Sequence, residues 1–188
     1  MISRILLSLL ISLFAGSTFI TQAVAQQRDH LTAQEVDLVK EAQALDKRID
    51  VFIKAAERRI LVINGSATAA TNTKQLKKDS EKGWGELPTG SRAELISDIA
   101  KILDEAITNI DDVSTRDERN PLIAKSLRKL AGSVNTIMAQ LKPLASEAKS
   151  EAEVASFELL NEDAQSILEA ANKLPPEVVP DKKAKKSN

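Results

Sequence analysis

The chain has 188 residues, with 26 basic and 27 acidic side chains for a formal net charge of −1, one His, no Cys and no Tyr. That balance offers no positive field for nucleic acid. The missing Cys rules out a disulfide framework and thiol chemistry, so stability must come from a packed core that is mostly aliphatic, since aromatics are 3% of the chain.

The first segment reads MISRILLSLLISLFAGSTFITQAVAQQ. Arg4 is its only charge, an apolar run spans Ile5 to Ala15, and Ala23-Val24-Ala25 forms an A-x-A site. This is the pattern of a secretory signal peptide over residues 1–25, cleaved after Ala25. An uncleaved anchor is the rival, since Ile5 to Val24 is just long enough to span a bilayer, but Ser8, Ser12, Ser17, Thr18, Thr21 and Gln22 weaken it. Beyond this segment no transmembrane span is expected. The absence of Cys after the apolar run excludes a lipid-anchored lipoprotein.

A first helix is predicted over Ala33 to Ile63. Thr32 is its N-cap, Glu35 completes a capping box, and Leu31 and Val36 are placed as a hydrophobic staple. Leu38, Ala42, Leu45, Ile49, Phe52, Ala56, Ile60 and Ile63 recur in steps of three and four, the period of one helix face. Asn64-Gly65 stops it. Unbroken, it would be about 46 Å long at 1.5 Å per residue.

Residues 64–90 form a polar connection. Structureless loops of that length are uncommon in compact domains, so Thr73 to Lys82 is expected to be helical and to lie on the surface. A second helix starts at the Ser91 cap with Glu94 as its box partner, carries Leu95, Ile99, Ile102, Ala106, Ile110 and Val113, and gives way to a charged turn over Asp111 to Asn120. A third is capped by Asn120 with Pro121 at its first position, where the missing N–H costs nothing. Its stripe, Ile123, Leu127, Leu130, Val134, Ile137, Leu141 and Leu144, crosses Pro143, where a kink or short break is expected. A fourth begins near Ser150, with Glu153 as a third box partner, and ends at Pro175-Pro176. The tail over 175–188, with Lys182, Lys183, Lys185 and Lys186, lacks apolar periodicity and is expected to be disordered and basic.

The fold class is therefore all-α. Residues 26–174 are expected to form an antiparallel four-helix bundle with a short extra helical or loop segment between the first two helices.

The residue types limit the chemistry. His30 sits before the first cap, so a Ser-His-Asp or Cys-His site has no partner on the folded body. No Glu-x-x-His pair exists for a di-iron centre, haem ligation would require His30 to meet Met138, and a zinc site lacks ligands. No cofactor, metal or catalytic residue is assigned. In NIDDVSTRDERN, Asp111, Asp112, Asp117 and Glu118 lack EF-hand spacing, and Arg116 and Arg119 mark a salt-bridged turn. Carboxylate-only catalysis would require a cleft with an Asp or Glu of raised pKa. The candidate surface contacts are Trp84, between Gly83 and Gly85, its neighbour Leu87, and Arg58 and Arg59. Against them stand plainer roles, Trp84 with Leu87 as a plug on the bundle and the arginines as dipole partners near a helix end.

RDHLTAQEVDLVKEAQALDKRIDVFIKAAERRI, WGELPTGSRAELISDIAKILDEAITNIDDVS and AQSILEAANKLP resemble a group of exported bacterial helical proteins of unknown function. The resemblance covers most of the mature chain. It implies export and an all-helical fold, and it carries no site residues.

The expected function is a non-enzymatic interaction or structural module of the cell envelope, binding an envelope protein or itself. A periplasmic holdase or a carrier of lipid or another apolar ligand is the alternative, and it predicts a persistent exposed apolar patch.

Overall fold

Three Ser/Thr N-caps and one Asn set the starts of four helices, each accepting a backbone N–H left unpaired at a helix end. Thr32 Oγ1 accepts from Glu35 N at 3.2 Å, and Glu35 reaches back to Thr32 N at 2.9 Å. Ser91 and Glu94 close the same reciprocal pair. Asn120 caps Leu122 N ahead of Pro121, and Ser150 caps Glu153 N. The computed structural model describes residues 29–65 and 70–176. The expected signal segment with its Ala25 cleavage site and residues 177–188 of the expected basic tail lie outside them.

Among the described residues there are six helices and no strand: α1 Ala33–Glu41, α2 Leu45–Ile63, α3 Ala70–Glu81, α4 Arg92–Arg116, α5 Pro121–Glu147 and α6 Glu151–Asn172. The fold is all-α, and α3 occupies the expected place in the 64–90 connection. None of these helices is long and apolar enough to cross a membrane.

The first predicted helix is two helices. Ala42 and Ala44 leave helical geometry, with ψ of 88° and 137°. Arg48 Nε donates to the Ala42 carbonyl at 3.2 Å and satisfies one group exposed by the break. Through the break α1 folds back along α2. The local sequence, Ala-Gln-Ala, favours helix, so the cause lies in what the break brings together, described below.

Three further boundaries differ from expectation. The charged turn contracts to residues 117–120, because α4 continues to Arg116 and Arg116 Nε donates to the Asp112 carbonyl at 3.0 Å. At Ser150 only half of the capping box forms, because the Glu153 carboxylate is taken by Arg92 of α4, at 2.8 and 3.0 Å. And α5 continues past Pro143 to Glu147, as its apolar stripe implied, without the short break. Pro143 and Ala139, whose carbonyl loses its helical donor to the proline ring, are both exposed residues.

Each of α2 and α6 packs against both α4 and α5, closing a ring in the order α2–α4–α6–α5. Side-chain pairs give the directions. Lys125 meets Asp46 and Lys129 meets Asp50, both at 2.6 Å, so the starts of α2 and α5 coincide and the two run parallel. Arg92 and Glu153 join the starts of α4 and α6, also parallel. Arg48 on the first turn of α2 reaches Asn109 late in α4 at 3.0 Å, so α2 and α4 run antiparallel. Arg128 early in α5 bonds the Pro175 carbonyl beyond α6, so α5 and α6 are antiparallel as well. Only two of the four faces are therefore antiparallel: the direction alternates from one long helix to the next in sequence, but not around the ring as in the antiparallel bundle expected. The 117–120 turn connects α4 to α5 across the ring and not to a neighbour in it.

The core is aliphatic, as the composition required. Ile49, Phe52, Ile96, Ile99, Ile102, Leu103, Leu130, Val134 and Leu160 are buried within it. Burying one such side chain is worth about 1.5–3 kcal/mol.

Candidate functional site

Arg58 and Arg59 are adjacent on α2, so they point to different sides of it. Both are buried, at 1% exposure, because α2 is covered on both sides at this level. They are not surface contacts.

Arg59 faces α1 and α4. Its Nη1 and Nη2 donate to the two oxygens of Glu35 at 2.9 and 2.8 Å, a bidentate pair. Nη1 also donates to the Ala55 carbonyl and Nη2 to that of His30. Asp98 of α4 stands 3.8 Å from its Nε. Glu35, the shared anion, is fully buried and also lies 3.3 Å from Arg58 Nε. Neither Nε finds hydrogen-bond geometry.

Arg58 faces the loop that follows α3. Its Nη2 donates to three successive carbonyls, those of Trp84, Gly85 and Glu86. Curling three carbonyls onto one cation needs left-handed backbone beside Trp84, and Gly83 and Gly85 supply it with φ of 83° and 62°. The Trp84 ring covers the guanidinium at 5.5 Å and Lys54 Nζ at 6.0 Å, a cation–π stack. Lys54 in turn pairs with Asp79 at 2.7 Å, and Asp79, itself buried, is the anchor of α3. Burial pulls the Arg58 pKa below the ordinary arginine value, against the opposing pull of Glu35 and Asp79. The guanidinium stays charged, because an arginine in a protein keeps its proton.

Of the four residues singled out in the sequence, three meet here. Trp84 closes the end of the core at 9% exposure, while Leu87 is half-buried. The sequence signal missed Glu35, Asp79 and Asp98. Glu35 carried a signal only as a capping residue, and it fills that role and the ion pair at once. The arrangement clamps α1, α2, α4 and the 84–86 loop around two buried cations.

Two other features are open to solvent. Asp163 on α6 has its carboxyl pushed up to about 6, by burial first and then by the charges of Asp104 and Glu162. Between α5 and α6 lies an apolar groove of about 360 Å³, whose floor is the buried Leu141 and Phe157. Met138, Ala139 and Ala145 form its sides, and Lys142 and Asn161 its polar rim.

No family model, curated protein or solved structure matches the chain.

Proposed function

We propose that the chain is an exported, non-enzymatic interaction module of the cell envelope, its four long helices forming a closed bundle that presents a surface to an envelope partner or to a second copy. The signal-peptide pattern of residues 1–25 supports export. The observation that carries the rest is how the charged side chains are used. Glu35, Arg58, Arg59, Lys54 and Asp79 bond one another and the backbone inside the fold, which suits a scaffold better than a reaction centre. Light scattering on the purified protein, with apolar-dye binding on the same fractions, tests the reading. A dye-silent monomer that has no partner in envelope cross-linking contradicts it.

The α5–α6 groove favours a second reading, a carrier of a small apolar ligand. Val154, one turn before Phe157 on α6, is one of the two large hydrophobic side chains left exposed among the described residues.

A further inference from the structure

The α5–α6 groove has a size, a lining and a charge. At about 360 Å³ it falls at the small end of ligand pockets, which run from roughly 300 to 1,000 Å³, so it suits a single short chain and not a folded partner. Its floor, Leu141 and Phe157, is rigid core, while Met138 is an unbranched, adaptable side chain at the wall.

The charge is selective. Helix α6 carries Glu151, Glu153, Glu158, Glu162, Asp163 and Glu169, and none of them lines the groove. The one formal charge in the lining is Lys142, exposed and without an ion pair among the described residues. Asn161 faces the same groove from α6 and offers an amide N–H. An apolar slot with an ammonium and an amide at its rim complements a molecule with an apolar chain and a negative head.

We propose that this groove binds an anionic single-chain amphiphile, its chain on Leu141 and Phe157 and its head group at Lys142 and Asn161. This rests on the carrier reading above and adds the head-group chemistry to it.

Calorimetric titration of the purified protein with decanoate, decyl glucoside and decyltrimethylammonium, each below its micelle concentration, tests the assignment. Decanoate should bind once per chain, about tenfold tighter than the glucoside, with the ammonium amphiphile weakest. Shortening the carboxylate should weaken binding about fourfold per methylene, the ratio that about 0.8 kcal/mol per buried methylene gives. Lys142→Glu should cut decanoate affinity about tenfold and reverse the order of the two charged amphiphiles. Ala145→Trp, at an exposed position on the groove wall, should block all three, with an unchanged thermal transition showing that the fold is intact. Equal binding of decanoate and the glucoside overturns the head-group assignment and leaves the carrier reading standing. No binding by any of the three, or binding that survives Ala145→Trp, overturns both. A dimer that Ala145→Trp dissociates, with no amphiphile bound, assigns the groove to a second copy instead and also overturns the proposal.

Discussion

Residues 42–44 and Pro143 make an instructive pair. Ala42-Gln43-Ala44 has the composition of a helix interior and is where the chain breaks. Pro143 is the strongest helix breaker available and lies inside a continuous helix. Local propensity is worth at most about 1 kcal/mol per ordinary residue, and a proline costs about 3. At 42–44 the opposing term is larger. In an unbroken helix Glu35 and Arg59 would be about 36 Å apart along the axis. With the break they form a bidentate pair at 2.8–2.9 Å, and Val36, Leu38 and Val39 of α1 pack against the core, burial worth about 1.5–3 kcal/mol for each fully covered side chain. At Pro143 the missing bond lies between two exposed residues, Ala139 and Pro143.

The largest expected effect attacks the first half of that comparison. Glu35→Gln leaves two buried guanidiniums without their shared anion, and should lower unfolding free energy by about 3–5 kcal/mol in urea titration. Hydrogen exchange should show α1 losing protection before α2. Equal loss along both helices would mean that the break does not depend on the ion pair.

Gly85→Ala tests the loop that Arg58 holds. A Cβ at φ of 62° would also come within 2.9 Å of the Gln34 side chain on α1. A loss of about 2 kcal/mol is expected, with Trp84 fluorescence shifting to the red as the ring is released. An unchanged spectrum would place the ring's support elsewhere than in the Arg58 clamp.

Pro143→Ala sharpens the second half. It restores an N–H for the Ala139 carbonyl, and should raise stability by about 1 kcal/mol. A loss instead would show that the ring contributes packing.

The smallest effect concerns pH. The Asp163 carboxyl titrates at about 6 in the folded protein against an ordinary value of 3.8. A raised folded value means that the folded state holds the proton more tightly, so stability falls as pH rises from about 4 to 6. Asp163→Asn should remove that slope and stabilise the protein at pH 7 by about 1 kcal/mol or less, since the group is partly hydrated. A slope that survives the substitution would move the effect to another group.

Much of the fold was legible because its signals are local. The caps at Thr32, Ser91, Asn120 and Ser150 lie within three residues of their partners, and the apolar stripes of α2, α4, α5 and α6 are read from spacing alone. The candidate site was legible only in fragments. Trp84 stood out between two glycines, and Arg58-Arg59 as a charged pair, but both arginines read as surface contacts or dipole partners near a helix end, and the adjacent Glu57 gives no sign of the distant anion that holds them. Their partner is 24 residues upstream, on a helix that spacing joins to their own. Glu153 shows the same limit, since a capping-box spacing held its partner three residues away while Arg92, 61 residues away, took the carboxylate.

The sequence by itself determined an all-helical chain, the positions of its caps and an aliphatic core, because these depend on backbone hydrogen bonds and periodicity within a few residues. Only the tertiary structure decided that α1 folds back on α2, that α2 and α5 run parallel, and that two arginines are buried, Arg58 under Trp84 and Arg59 against Glu35. Those outcomes compare the free energy of a desolvated ion pair with that of a helical turn, and the groups being compared meet only when the chain has folded.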